Sequence, residues 1–197
     1  MNSKDEKLKA IRDEIIACQN CPLFAYRKEN NFYPVIGEGN HKAEIMFIGE
    51  APGLQEAKTA RPFCGKAGKV LDELLNYIKI KRKDVYITNI LKDRPPQNRD
   101  PLSKEVETCV PFLEKQIEII KPKVIVALGR HAMNFLMKRF GLENKIEPIS
   151  QSHGKVFEAE HFKIVALYHP ATVTYNPSMK EILKKDFEIL KDLCQKT

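Results

Sequence analysis

Short apolar runs separated by amphipathic stretches form the main pattern along this chain. Runs rich in Val and Ile have the length of strands buried on both faces, and they cover residues 43–48, 85–90, 124–128 and 164–168. Between these runs, apolar residues recur every three or four positions over residues 68–77 and 105–120, which predicts helices. Amphipathic helices are also predicted at both ends, from Leu8, Ile11, Ile15 and Ile16 and from Ile182, Leu183, Phe187, Leu190 and Leu193.

The alternation of strands and helices predicts the fold class. Right-handed crossovers between successive strands produce a parallel sheet that lies between two layers of helices. We therefore expect an α/β protein, with residues 1–197 forming a single three-layer α/β/α domain around a central four-stranded parallel sheet. The chain has no internal repeat, low-complexity tract or linker that would indicate a second unit.

Polar residues follow the predicted strands at the points where the strands end. The stretches are Gly49-Glu-Ala-Pro-Gly53, Asn89, Gly129-Arg-His131 and His169-Pro170. Because the carboxyl ends of parallel strands share one edge of a sheet, these residues are expected to converge at a ligand-binding crevice. The chain contains neither a G-x-G-x-x-G nor a G-x-x-x-x-G-K-[ST] motif, so dinucleotide and P-loop sites lose their main support.

Charge and cysteine content narrow the class of partner. The 33 basic and 26 acidic side chains give a net charge of +7, which favours a polyanionic partner such as nucleic acid. No apolar run approaches the roughly 18 residues of a membrane span, and the N-terminus lacks the apolar core of a signal peptide. We therefore expect a cytoplasmic monomer without membrane contact, whose five cysteines are buried thiols or metal ligands rather than disulfides.

Six stretches of the chain together resemble the family 4 uracil-DNA glycosylases, the iron-sulfur type of archaea and bacteria. They occur in the family's order, with compatible spacing, from about residue 8 to about residue 193. The stretches are Cys18-Gln-Asn-Cys21, Gly49-Glu-Ala-Pro-Gly53, Arg61-Pro-Phe-Cys-Gly-Lys-Ala-Gly68, Thr88-Asn89 with Arg94-Pro-Pro-Gln-Asn-Arg-Asp-Pro101, Cys109 with Pro111-Phe-Leu113, and His169-Pro-Ala171. A single such motif is weak, and their common register makes the resemblance specific.

The resemblance implies an enzyme that flips uracil out of DNA and hydrolyses its N-glycosidic bond, leaving an abasic site. It implies that the uracil pocket contains Gly49, that Phe63 stacks on the base and that Asn89 reads its edge. His169 would stabilise the departing uracil anion. The amide of Asn89 suits this role because it offers a donor and an acceptor, which match the O4 and N3–H of uracil. The alternative for each residue is structural: Phe63 in the core, Asn89 capping a turn and His169 bonded to backbone.

Glu50 is expected to have a catalytic or positioning role. Better-known members of the superfamily carry an Asp one residue later, where this chain has Ala51. Glu50 could position water, stabilise the sugar cation or limit the space beside uracil C5. Its structural alternative is a carboxylate that orders the Gly-rich loop.

The cysteines match the family's 4Fe-4S ligands only in part. Cys18, Cys21 and Cys109 stand at three of the four ligand positions, and Asp93 stands at the fourth, where the family usually has Cys. Four outcomes stay open: Asp93 as the fourth ligand, Cys64 as the fourth ligand, an incomplete cluster, or zinc in a Cys3Asp site. We favour the cluster, held by Asp93 or Cys64.

The resemblance also implies where uracil-containing DNA is contacted. The loop after His169 has a counterpart that enters the DNA, and its large side chains, Val173 and Tyr175, are candidates for a wedge that fills the gap left by the base. Tyr175 could instead pack under the loop. Gly154 is placed in a loop that could touch phosphate.

Two other functions stay open. The first is a superfamily member that binds uracil in DNA with weakened catalysis or traps it covalently, although the Arg-Arg-Ile-His insertion of the trapping relatives is absent. The second is a zinc-dependent nucleotide hydrolase, which predicts His or carboxylate ligands at the metal, where only Asp93 could serve.

Overall fold

The computed structural model describes residues 3–195, and it describes their side chains as far as residue 193. The strands are β1 (Glu38–Gly39), β2 (Ile45–Gly49), β3 (Tyr86–Asn89), β4 (Val124–Leu128), β5 (Val156–Glu158) and β6 (Lys163–Leu167). The α-helices are α1 (Lys4–Ala17), α2 (Pro22–Glu29), α3 (Leu54–Thr59), α4 (Lys66–Tyr77), α5 (Ser103–Ile120), α6 (Arg130–Arg139), α7 (Ile149–Ser152), α8 (Thr172–Tyr175) and α9 (Met179–Gln195). No helix in this described range combines the length and apolar character needed to cross a membrane.

The strands form one sheet in the order β1-β3-β2-β4-β6-β5. The four central strands are parallel, which confirms the α/β fold class and the predicted central strands. The sheet is wider than predicted, because β1 and β5 add an antiparallel strand at each edge. These edge strands are two and three residues long and only partly buried, so they lack the apolar run that identified the others.

Both faces of the central strands are buried, as their continuous apolar runs predict. Alternate residues of each strand point to opposite faces, so that in β2 Met46 and Ile48 pack on one side and Ile45 and Phe47 on the other. Helices α1, α5 and α6 cover the first face, and α4 and α9 cover the second. Ile16 and Ile182 are exposed, so the apolar stripes of the terminal helices are narrower than predicted.

The order of the strands explains the placement of the helices. After β2 the chain moves outward to β3 and then returns past β2 to β4, which reverses its direction across the sheet. With a constant right-handed crossover, this reversal puts α4 and α5 on opposite faces. The loops that follow β2, β3, β4 and β6 all emerge at the same edge of the sheet, which we call the carboxyl rim.

Candidate active site

A cavity of about 350 Å³ opens at the carboxyl rim. It is lined from the loops after β2, β3 and β6 and from the start of α4, by Glu50, Ala51, Pro52, Gly53, Glu56, Phe63, Ala67, Asn89, Asn98, His169 and Ala171. The structure therefore brings together Glu50, Phe63, Asn89 and His169, which the sequence analysis singled out separately. We call this space the rim cavity. A larger cavity of about 650 Å³, lined by the ends of α5 and α6, contains none of the predicted site residues.

Phe63 occupies a left-handed turn between α3 and α4, with φ of 47°. A non-glycine residue in this region is strained, so the surrounding contacts have to hold it there. Arg82 donates hydrogen bonds to the carbonyl oxygens of Pro62 at 2.6 Å and of Phe63 at 3.2 Å. On the other side of the turn, the buried carboxylate of Glu56 accepts from the amides of Cys64 at 3.0 Å and Gly65 at 2.8 Å. These four bonds fix the aromatic ring against the cavity.

Gly49 allows the other cavity groups to come close together. It ends β2 and pairs with Asn89 across the parallel ladder. A Cβ atom at Gly49 would lie 2.4 Å from Oδ1 of Asn89 and 2.7 Å from the ring of Phe63. Such distances leave no room for a side chain, so glycine is required where the amide and the ring meet.

The side chain of Asn89 faces this cavity with its hydrogen-bonding groups free. Asn89 is only 2% exposed. Nevertheless, within residues 3–193 its amide oxygen and nitrogen form no hydrogen bond with another protein group. Asn134 Oδ1 is the one buried side-chain polar atom without a partner among the described residues, so the unpaired amide atoms of Asn89 are accessible through the cavity and available to a ligand.

His169 lies beside Phe63, with ring centroids 5.6 Å apart and planes tilted by 32°. Its Nδ1 accepts a hydrogen bond from the amide of Ala171 at 3.1 Å, so the proton of the neutral ring is on Nε2. Burial lowers the pKa of His169 to about 4. The ring is therefore a neutral Nε2–H donor at neutral pH.

Glu50 lies at the cavity wall beside two residues of the neighbouring loops. Ligand atoms of Glu50, Asp100 and His131 all lie within 4.8 Å of one another. Desolvation by burial raises the pKa of Glu50, with the nearby Asp100 carboxylate adding to the effect, while His131 and Arg130 oppose it. The carboxylate thus lies beside a histidine that the sequence analysis did not assign to the site.

Cys18, Cys21, Cys109 and Asp93 lie in one region, where the chain from α1 to α2 meets α5 and the loop after β3. Cys21 and Cys109 pack with Leu23 and Leu91 in a small apolar cluster. Burial raises the pKa of Cys109 to about 12, and the neighbouring Cys21 and Asp93 act in the same direction. Burial is the main cause of the raised pKa of Cys21, and the neighbouring Asp93 and Cys18 raise this pKa further. Two thiols and one carboxylate thus share a desolvated environment, and Cys18 lies next to it.

The structure separates Cys64 from this group. The Sγ atom of Cys64 lies 3.2 Å from Oγ1 of Thr59, on the turn that carries Phe63. Asp93, by contrast, is buried next to the thiols, where its carboxylate accepts two bonds from Arg27 at 3.1 and 3.2 Å. Burial raises the pKa of Asp93, and the Arg27 guanidinium opposes this rise. Of the two candidates for a fourth ligand, Asp93 is the one placed with the three cysteines.

The predicted DNA-contacting residues also lie at the carboxyl rim, but they differ in exposure. The Tyr175 residue is 88% exposed at the end of α8. Val173 instead packs against the apolar cluster on the α4 and α9 face. The amide of Gly154 donates to the carbonyl of Ala166 at 2.8 Å, which places Gly154 beside the end of β6.

Several functional residues were missed in the sequence. Glu56 and Arg82 hold the Phe63 turn, and His131 and Asp100 approach Glu50, through contacts between distant parts of the chain. No local pattern marks Glu56 and Arg82, whereas His131 follows a predicted strand and Asp100 lies in the Arg94 to Pro101 stretch. Asn98 could have been found, because it lies inside the Arg94 to Pro101 stretch that supports the family resemblance.

Comparisons with known proteins agree with this arrangement. The model of the family described as the uracil DNA glycosylase superfamily matches residues 36–193. The chain is 47% identical to the type-4 uracil-DNA glycosylase of Archaeoglobus fulgidus, over 97% of this chain and 95% of that protein. It is 45% identical to the type-4 uracil-DNA glycosylase of Saccharolobus solfataricus, over 95% of this chain and 86% of that protein. It is 39% identical to the type-4 uracil-DNA glycosylase of Thermotoga maritima, over 100% of this chain and 99% of that protein.

We predict that His169 stays neutral well below the usual pKa of histidine. As pH falls from 6.5 to about 4, the unfolded chain binds a proton at His169 that the folded protein does not bind. This residue should therefore reduce the free energy of unfolding by up to about 1.4 kcal/mol per pH unit in that window. Long-range ¹H–¹⁵N NMR should show an Nε2–H imidazole at pH 5.5, and the variant His169→Asn should lose this part of the pH dependence. Protonated His169 at pH 6 would contradict the assignment.

Proposed function

The chain belongs to the uracil-DNA glycosylase superfamily, and from this premise we propose that its rim cavity binds uracil flipped out of DNA and hydrolyses the N-glycosidic bond, leaving an abasic site. The observation that carries the proposal is the buried amide of Asn89. It has no protein partner in the described chain and lines the same cavity as the ring of Phe63 and the imidazole of His169. A base edge is a ligand that such an arrangement can read.

Asn89 is proposed to select uracil by pairing with its polar edge. The amide N–H would donate to uracil O4, and the amide oxygen would accept from N3–H. Cytosine presents a donor and an acceptor in the reverse order, so its binding would leave buried groups unpaired. Gly49 contributes by leaving the space in which the amide lies.

Phe63 and His169 are proposed to act on the base after it enters. The Phe63 ring offers a fixed apolar face on which a flipped base can stack. As the glycosidic bond breaks, negative charge develops on the uracil oxygens, and the Nε2–H of His169 would donate a hydrogen bond to O2. A neutral donor that is already oriented by Ala171 requires no reorganisation at that moment.

Glu50 is proposed to position the attacking water. Its carboxylate lines the same cavity as Asn89 and His169, and a water between it and the sugar would face the opening C1′ centre. The raised pKa of Glu50, which burial causes, also suits it to take up a proton from that water. Before the reaction, the nearby His131 would favour the charged form of Glu50.

DNA is proposed to lie across the carboxyl rim. Strand β5 is antiparallel to β6, so Gly154, just before β5, lies at the rim. There it would approach a phosphate of the DNA. Tyr175 projects into solvent at the same rim and is the better candidate for the wedge. The packing of Val173 against the core gives it a structural role in supporting that loop.

A 4Fe-4S cluster is proposed to bind where the cysteines converge, with Cys18, Cys21, Cys109 and Asp93 as its ligands. The residues fit such a group because three thiols converge with a buried carboxylate in an apolar setting. When bound, the cluster would supply a cross-link between the start of the chain and α5, and it has no place in the steps above. Four ligands of one zinc ion would lie only about 4 Å apart. Within the described residues these side chains form no group that close.

Uracil excision should depend on the cavity residues. We predict that Asn89→Ala and His169→Ala each lower the single-turnover rate on a uracil-containing oligonucleotide by at least about 10-fold, because each removes a positioned contact. Abasic sites are detected by alkaline cleavage. Asn144→Ala and His161→Ala are matched controls on exposed side chains and should match the wild type. Wild-type rates in both cavity variants, with the fold intact, would refute the proposed function.

Metal analysis should identify the group that the thiols bind. Protein purified without oxygen is expected to be brown and to contain iron. Asp93→Ala should change the iron content because it removes a ligand, whereas Cys64→Ala should leave it unchanged. One equivalent of zinc without iron, or iron that depends on Cys64 alone, would overturn this assignment.

Tyr175 should matter more for duplex DNA than for single strands. Flipping a base out of a duplex costs a few kcal/mol more than from a single strand, and a wedge offsets that cost. We therefore expect Tyr175→Ala to lower excision from duplex sites several-fold more than from single-stranded sites. Val173→Ala serves as the control on the supporting residue. An equal loss on both substrates would remove Tyr175 from the wedge role.

A further inference from the structure

Lys92, in the loop after β3, is a lysine whose ammonium group lies inside the protein. The residue is 1% exposed. Its Nζ donates to Oγ1 of Thr88 at 2.9 Å, to the carbonyl oxygen of Asn89 at 2.8 Å and to Oε1 of Gln116 at 2.8 Å. All three donors of the ammonium are therefore satisfied. Each acceptor is neutral, and no carboxylate among the described side chains pairs with Nζ.

Stability alone does not account for this arrangement. Moving an ammonium out of water costs several kcal/mol, and neutral acceptors repay less of that cost than a carboxylate would. Apolar residues of similar volume often replace buried charges without loss of stability. What the ammonium provides here is a set of directed bonds at fixed positions.

Two of these bonds fall on the last two residues of β3. The ladder to β2 resumes with the amides of Ile90 and Leu91, which donate to Gly49 and Glu50. The carbonyl of Asn89 is instead bound by Lys92, three residues further along the chain. The ammonium thus closes a turn around the residue whose side-chain amide faces the rim cavity.

The third bond anchors this turn to the rest of the molecule. Gln116 is fully buried in α5, and its Nε2 donates to the carbonyl of Ile36 at 2.9 Å. The Oγ1 of Thr88 donates to that same carbonyl at 2.8 Å. The end of β3, helix α5 and the segment before β1 therefore share one satisfied polar network, which restricts movement of the strand end.

We infer that Lys92 is a positioning residue for uracil recognition: by binding the carbonyl of Asn89, its ammonium holds the Asn89 amide in register with the base. This inference rests on the proposed function of the rim cavity. Lys92 itself lies in the loop after β3 and does not line that cavity. Its effect on catalysis must therefore pass through Asn89.

A double-mutant cycle tests that dependence. Lys92→Met keeps an unbranched side chain of similar length and removes the ammonium. We expect it to lower the maximal single-turnover rate by about 10-fold, with the half-saturating DNA concentration changed by less than about 2-fold. In an Asn89→Ala background the same substitution should cost less than about 2-fold. Equal losses in both backgrounds would show that Lys92 acts independently of Asn89 and would overturn the inference.

Two further variants separate positioning from general damage. Lys92→Gln retains a side-chain N–H donor, so it should excise uracil faster than Lys92→Met, and it serves if the Met variant does not fold. Gln116→Met removes one acceptor of the network but leaves the bond between Lys92 and Asn89, so it should lower excision clearly less than Lys92→Met does. A loss as large as that of Lys92→Met would place the effect in core packing and overturn the inference. Failure of the wild type to excise uracil would instead refute the proposed function.

Discussion

The hydrogen-bond ladder between β2 and β3 continues beyond both strands, and the geometry of the site depends on this extension. Gly49 pairs with Asn89 at the strand ends. Beyond them, the amide of Ile90 donates to Gly49 at 2.9 Å and that of Leu91 to Glu50 at 3.0 Å. Glu50 and Asn89 therefore belong to two rigidly joined chain segments. The separation between the backbones that carry the Glu50 carboxylate and the Asn89 amide is therefore set by strand pairing.

Two residues that line this cavity, Phe63 and Asn98, have a strained backbone with positive φ. Phe63 has a left-handed conformation that costs roughly 1–3 kcal/mol, and distant charged residues stabilise it. Glu56 binds the amides that follow the turn, while Arg82 binds the carbonyls within it and also pairs with Asp72 and Glu38. The ring is thereby fixed before a ligand arrives. A fixed stacking surface loses less entropy on binding than a mobile ring.

The sequence predicted the central sheet and the convergence of the site well, for identifiable reasons. Strands buried on both faces appear as uninterrupted Val and Ile runs, and parallel strands share one carboxyl rim, so Gly49, Asn89 and His169 were expected to meet. The edge strands escaped prediction because they are short and partly exposed. The supporting roles of Glu56, Arg82 and Lys92 depend on contacts between distant segments, which leave no local periodicity. Charged residues in such positions resemble ordinary surface residues in the sequence.

The position of the first two helices has a consequence for the order of folding during synthesis. Helix α1 packs against α5, and Cys21 meets Cys109, although more than 80 residues of chain separate the two cysteines. A helix of this length is marginal in water without a partner. While the ribosome is still producing β2 and β3, α1 therefore lacks the helix against which it packs. Closure of the N-terminal segment has to wait until α5 has emerged, which makes it a late event in the maturation of the protein.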